Sequence, residues 1–343
     1  VIIITTKKGA KGKGSITYDN TFRFDKVYRF PEIQTTYGRG RNGVNDPASS
    51  YFFGAPFASG TTLYDNFDNF LKTGMTQKHN LAIEGGSDVN TFRFSSGYTK
   101  QEGVIPTSKF ERLSFRLSGS SKITNKLNVS ATTSYTNSKT DKVSKGTGSY
   151  FLTLLTWPKD DDVRQYLNSD GSRRIARGGT ILSETDNPFW DVNKNLGNDK
   201  TNRFTLNTTI SYDVLKWLNL TGNMGADIYS TQGLYSVNPQ SRYGGATNGF
   251  LSQYTQNTVN LSGNVRGAIK KDFGKFSNNL ILGFNFDDNK TRIESQRGEQ
   301  FIEPDFLSIN NVSPLTVASK TTVLNYRRTR WFGSYTAGYG RLI

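Results

Sequence analysis

The side chains from which most reactive sites are built are scarce in this sequence. It holds one histidine, His79, isolated at the start of a strand, and no cysteine, so no thiolate metal site can be assembled from it, and a Ser-His-Asp relay or a two-histidine metal site would need residues from outside this sequence. The run Gly9-Ala10-Lys11-Gly12-Lys13-Gly14-Ser15 has the composition of a phosphate-binding loop. It lacks the G-x-x-x-x-G-K-[ST] spacing, however, and leads into a strand rather than a helix. Asp160-Asp161-Asp162, Asn168-Ser169-Asp170-Gly171 and Asp287-Asp288-Asn289 carry the oxygen ligands that calcium takes, but at no EF-hand spacing. Ordinary solvated loop polarity accounts for them, and no catalytic, cofactor-binding or metal residue is assigned. What remains is aromatic: Tyr150, Phe151, Trp157, Phe189 and Trp190 in one long unpatterned stretch, Tyr235 and Tyr243 in another. A ring beside amides and carboxylates can stack on a sugar face or hold a peptide side chain, because the ring offers apolar area and its neighbours supply directional hydrogen bonds. The same rings can instead pack the loops onto one another.

The elements that must position these rings follow a period of two. Around the hairpin from His79 to Val104, Leu81 and Ile83 alternate with Ala82 and Glu84. Beyond the turn Gly85-Gly86-Ser87-Asp88-Val89-Asn90, Phe92, Phe94 and Tyr98 alternate with Arg93, Ser95 and Thr99. The same alternation predicts strands at 15–25, 110–118, 127–135, 204–214, 218–228, 259–269, 280–286 and 331–339, ten in all with the hairpin. Their connections sort by length. Short turns at Gly85–Asn90, Asn125–Lys126, Val214–Lys216 and Asp272–Lys275 belong on one rim, and the long stretches 25–76, 140–202, 233–256 and 290–322 on the other. Leu206, Ile210, Leu220, Ile228, Leu261, Val265, Leu282 and Phe284 fall on an apolar face, with Asn207, Thr209, Thr221, Asn264 and Arg266 on a polar one. Trp217, Phe273 and Phe276 flank short turns while Tyr135 and Tyr229 lie near opposite strand ends, as in the aromatic girdles of a membrane barrel.

Composition agrees with that architecture. Hydrophobic residues make up 34% of the 343 and aromatics 13%. That is lean for a soluble core but sufficient for a wall that needs every second strand residue apolar. No apolar run is long enough for a membrane helix. The formal charge of +15 would ordinarily raise nucleic-acid binding. The basic residues are dispersed, though, apart from Lys7, Lys8, Lys11 and Lys13 in a Gly-rich linker, so no nucleic-acid partner is assigned.

The run HNLAIEGGSDVNTFRFSSGYTKQEGVI with the following FERLSFRL (110–117) resembles the early barrel hairpin of the SusC/RagA family of TonB-dependent outer-membrane transporters. VIIITTKKGAKGKG (1–14) is similar to that family's last plug strand and linker, and Asn187-Pro188-Phe189-Trp190 is a weaker match. The resemblance implies an all-β, transmembrane antiparallel up-and-down barrel. Residues 1–14 would end a plug domain, and residues 15–343 would supply about ten of 22 strands in the N-terminal half of the barrel. It further implies a non-enzymatic importer of oligosaccharides or peptides in the outer membrane. Such an importer pairs with a SusD-like surface lipoprotein, takes energy from the TonB complex, and needs no cofactor. The alternative is a non-transporting surface β-protein, an adhesin or carbohydrate-binding module. The seven loop aromatics are the substrate-vestibule candidates.

Overall fold

A computed structural model describes residues 7, 9, 11–49, 51–146, 149–176 and 178–340. Ten strands dominate it: β1 (Gly12–Asp25), β2 (Gly74–Gly86), β3 (Asn90–Glu102), β4 (Lys109–Lys122), β5 (Leu127–Lys142), β6 (Gly197–Leu215), β7 (Leu218–Val237), β8 (Phe250–Phe273), β9 (Phe276–Glu299) and β10 (Ala318–Tyr339). They form one antiparallel sheet in which each strand pairs with its neighbour in the chain, an up-and-down wall with β1 and β10 at its edges. The expected plug strand falls mostly on residues 1–6, outside the described residues. The wall itself starts at Gly12, three residues earlier than the alternation places it.

Register sorts the connections by rim. Gly86 pairs near Thr91, Lys122 opposite Asn128, Leu215 opposite Leu218 and Phe273 opposite Phe276, so the four short turns share one end. Asp25 pairs with Gly74, Lys142 with Gly197, Val237 with Phe250 and Arg297 with Ala318, which puts the long connections at the other end. The six-residue link 103–108 joins them there.

The two faces of the wall differ as alternation demands. One carries a continuous exposed band that includes Ile16, Leu117, Leu206, Ile210, Leu220, Val265, Leu282 and Trp331, the last 83% exposed. Exposed aliphatic and aromatic side chains at this density suit acyl chains rather than water. On the other face a single ladder row runs Thr91, Ser120, Ser130, Thr209, Asn223, Asn264, Asn285. Its members bond sideways: Thr209 Oγ1 donates to Asn223 Oδ1 at 2.6 Å and Asn223 Nδ2 to Asn264 Oδ1 at 2.9 Å.

Two expectations change. The strands run further toward the long-loop rim than their alternation shows, leaving connections of 143–196, 238–249 and 300–317. Past the apolar band both faces meet water, so residues such as Gln253, Thr255 and Asn257 keep the ladder without keeping the contrast. Tyr229 also leaves the girdle, because its register with Arg203 and Thr258 sets it on the polar face, its ring 5.8 Å from the Arg203 guanidinium. Tyr135 stays on the apolar face, and at the short-turn rim Lys271 Nζ lies 5.5 Å from the Trp217 ring and 5.2 Å from Phe273.

Candidate functional site

Above the wall the long connections fold into a cap held by short helices: α1 (Asn66–Phe70), α2 (Tyr150–Leu155) and α3 (Pro188–Lys194). Five to seven residues are too few to show a helical period or to be stable alone, so each depends on packing. Phe67 and Phe70 of α1, Leu154 of α2, Val192 of α3, and Trp157 and Val163 between the latter two make one buried cluster. α3 starts on a local signal: Asn187 Oδ1 accepts the Phe189 amide at 2.7 Å, Pro188 takes the first helical position, and Asp191 and Lys194 sit in the first and last turns. The Asn187 amide nitrogen also donates to the Val163 carbonyl at 2.8 Å, which joins the two halves of the loop.

The cap continues into the 238–249 connection through a buried polar cluster. Arg173 and Asp186 form an ion pair at 3.0 Å with both side chains almost fully buried. The Arg173 guanidinium also donates to the carbonyls of Ile181, Glu184, Thr185 and Gln240. Trp190 Nε1 donates to Ser241 Oγ at 2.8 Å, and Ser241 Oγ donates to Asn195 Oδ1 at 2.7 Å. Burial pushes the Asp186 carboxyl up, with Arg173 pulling it back. Burial likewise raises Asp191, which accepts from the Tyr150 amide and from Asn195. Buried charges with this many partners tie the 143–196 and 238–249 connections together.

That packing divides the seven aromatic candidates. Trp157 and Trp190 are 2% and 1% exposed, so their rings are consumed by the cap's own core and offer no face to a ligand. Tyr150 and Phe189 are half-buried, each within 5.7 Å of the Phe70 ring by centroid. Phe151, Tyr235 and Tyr243 remain exposed, with Tyr235 leaning on Phe250 at 5.8 Å. The candidates therefore do not converge on one aromatic pocket.

Sequence reasoning missed a cleft of about 550 Å³ between the 26–73 and 143–196 connections, where Arg39, Asn45, Phe57, Asp160 and Asp161 converge. Arg39 is anchored there by donating to the carbonyls of Pro47 and Thr156. Asp161 is ion-paired with Arg174, and burial raises its carboxyl. Nothing local to either segment marks this cleft, because its walls come from positions more than a hundred residues apart. Below it, on the polar face of the wall, lies a cavity of about 270 Å³ lined by Arg116, Ser118, Ser130, Thr132 and Asn207, with Gly9 set against the backbone of Phe92 at its edge. Gly9 therefore lies on the polar side of the wall. His79, in contrast, sits on the apolar face, its Nδ1 sharing a hydrogen bond of 2.7 Å with the Tyr18 hydroxyl and Tyr98 beside it in register.

No protein-family model matches the sequence. TonB-dependent receptor P3 of Formosa agariphila is 24% identical over 294 residues, which cover 83% of this chain and 28% of that protein. TonB-dependent receptor SusC of Bacteroides thetaiotaomicron is 26% identical over 308 residues, 82% of this chain and 29% of its own length. The chain thus spans less than a third of these relatives. Among solved structures the RagAB peptide transporter superposes with a TM-score of 0.76 at 18% identity, covering 98% of this chain and 42% of the other. The relatives in sequence and the solved wall in fold agree: this chain is similar to TonB-dependent receptors of the SusC/RagA type.

Proposed function

We propose that this chain supplies wall and loop cap to an outer-membrane importer that moves oligosaccharides or peptides inward with energy from the TonB complex and in company with a SusD-like surface lipoprotein. The observation that carries the reading is the sorting of the wall: acyl-compatible residues on one face, a hydroxyl- and amide-lined face on the other, and every long connection on one rim. A polar face of small side chains suits a watery lumen and a plug surface. Residues 1–14 are assigned to the end of that plug and its linker, in keeping with Gly9 on the polar side, and 15–343 to the barrel.

On this reading the protein does no covalent chemistry, since the work of transport comes from outside the polypeptide. Recognition falls to the cap, because loops set on a rigid scaffold carry binding. The Arg39 cleft and the exposed Phe151, Tyr235 and Tyr243 are the surfaces available for it. RagAB is a peptide importer, but at 18% identity the likeness speaks for the fold, so both substrate classes stay in the test. Uptake of defined oligosaccharide and peptide mixtures is measured in cells carrying the complete receptor, with and without TonB, together with co-purification of the lipoprotein. Uptake that requires both TonB and the receptor is the expected result. Normal uptake in cells lacking TonB refutes the importer reading.

A further inference from the structure

The band of apolar residues on the outward face stops well short of the strand ends, and what lies above it is a groove. On β5 and β6 the last outward rings are Tyr135 and Phe204. Two outward positions further up come Lys139 and Lys200, which pair in register. From there a hollow of about 650 Å³ crosses β7 to β10 on the same outward face, lined by Gln232, Gln253, Thr255, Gln296 and Glu294, the carboxylate of the last paired with Arg292 at 2.6 Å. Gln253 Nε2 donates to Gln296 Oε1 at 2.8 Å, so these amides already form a lateral chain. The groove has a roof: the 300–317 connection folds over the outward face, where Val312 and Phe301 bury Leu251, and Ile309 and Leu234 pack around them. Val312 sits directly on Gly298, where a β-carbon would collide with it. Lys194 fastens the roof to the cap through Asp305 at 3.3 Å.

The height of the groove selects its occupant. Four strand residues separate Tyr135 from Lys139, roughly 13 Å along the strand and about 10 Å along the membrane normal at the usual barrel tilt. That is where the phosphates and first sugars of an outer-leaflet glycolipid lie. The cations occupy the end nearest the acyl chains, and the amides and hydroxyls lie higher, the order in which a phosphorylated glycolipid presents phosphate and then saccharide. Among the described residues Lys200 makes no ion pair, while Lys139 has only Asp141, at 3.6 Å. We propose that this outward groove binds the anionic saccharide headgroup of lipopolysaccharide, anchoring the protruding part of the wall to the leaflet around it. The inference rests on the outer-membrane reading above.

The complete receptor is purified from outer membranes in mild detergent, and its retained lipopolysaccharide is measured as lipid phosphate and by native mass spectrometry. The delipidated receptor is then titrated with lipopolysaccharide, with its acyl-free saccharide, and with phosphatidylglycerol vesicles. Lys139→Gln with Lys200→Gln should lower lipopolysaccharide retention about tenfold, the loss expected for charge-assisted contacts. Gln253→Ala should weaken the saccharide arm, and Lys216→Gln on the opposite rim should change neither. Membrane fractionation and TonB-dependent uptake are followed in the same variants. A receptor absent from the outer membrane strikes down the parent reading. A receptor correctly inserted whose retention is unchanged by the lysine pair, or that binds phosphatidylglycerol equally, overturns this inference alone. So does retention that persists while lipoprotein pairing is lost, since the groove would then serve a protein.

Discussion

Replacing Val265 by arginine tests the assignment of faces most directly. Val265 is 59% exposed on β8, beside Gly222 on β7 and Phe284 on β9. Gly222 has open space where its side chain would be, so the longer residue meets no steric block and the change reads polarity alone. A guanidinium at the middle of a lipid-facing band costs about 2–4 kcal/mol. Asn264, one residue away, points to the other face and loses on Asn264→Leu the single bond it accepts from Asn223, worth about 1 kcal/mol. The expected gap between the two variants is about 1–3 kcal/mol, or roughly five- to more than hundredfold in the folded-to-unfolded ratio. The assay is urea-titrated folding of the complete receptor into lipid vesicles, read by gel mobility of the unheated barrel and by tryptophan fluorescence. If Val265→Arg is neutral and Asn264→Leu abolishes insertion, the faces are reversed and the wall has been oriented wrongly.

The cap yields three further expectations. Trp190→Ala removes a fully buried ring together with its bond to Ser241, and should loosen the cap by about 3–5 kcal/mol; hydrogen exchange should accelerate across 188–194 and 241–245 and stay slow in the wall. Phe151→Ala and Tyr243→Ala remove exposed rings, so stability should move by no more than about 0.5 kcal/mol. If either ring binds substrate, affinity for one of the oligosaccharide or peptide ligands should fall several-fold by calorimetry; unchanged affinity for all removes that ring from the vestibule. Asp191 supplies a pH dependence: burial holds its carboxyl above the ordinary value of 3.8, so the fold favours the neutral form. Its contribution is full below that value and is lost as pH rises through the raised one. Exchange of the Tyr150 amide, which donates to Asp191 at 3.0 Å, should therefore show less protection at neutral than at acid pH once corrected for intrinsic rates, and Asp191→Asn should flatten the profile.

The wall was legible in the sequence because its signal is local. Leu206 beside Asn207, or Asn264 beside Val265, announces a strand and both of its faces within two residues, and short turns such as Asp272–Lys275 announce the rim. The upper strand ends were illegible for the converse reason: Gln232 and Gln253 face water from the outward side, so the contrast that marks a strand disappears while its hydrogen bonds continue. The cap was hidden by distance in sequence. Phe67 meets Trp157 and Val192 in one cluster, and Arg39 reaches the Thr156 carbonyl across 117 positions, contacts that no window can show. One local signal was present and unused: Asn187 followed by Pro188, with Asp191 in the next turn, is a helix start, and it would have marked Trp190 as a packed ring rather than a displayed one.

The tilt of the wall is written in where the apolar band ends. The ladder row through Tyr18 on β1, Tyr135 on β5 and Val259 on β8 reaches Lys290 on β9 and Asn325 on β10, so a line of equal register leaves the lipid as it crosses the sheet. The uppermost outward ring is Phe24 on β1, Tyr98 on β3, Tyr135 on β5 and Phe286 on β9. From β5 to β9 the edge drops from the Tyr135 row to Phe286, four residues below Lys290, or roughly 13 Å at about 3.4 Å per residue. Four strand spacings of about 4.8 Å separate those strands, roughly 19 Å. A membrane edge that falls 13 Å over 19 Å makes the strands lean about 35° from the normal, within the range that closed outer-membrane barrels adopt. The rise from Tyr135 back to Tyr98, two residues above Ser96 of the same row and two strands away, gives the same slope, and Phe24, six residues above Tyr18 and four strands away, gives about 45°, the upper end of that range. Polarised infrared dichroism of the amide bands of the complete receptor in oriented bilayers should therefore return a mean strand tilt of about 35°. A tilt below about 15° would mean that the band follows the register rather than the membrane, and that these exposed rings face something other than lipid.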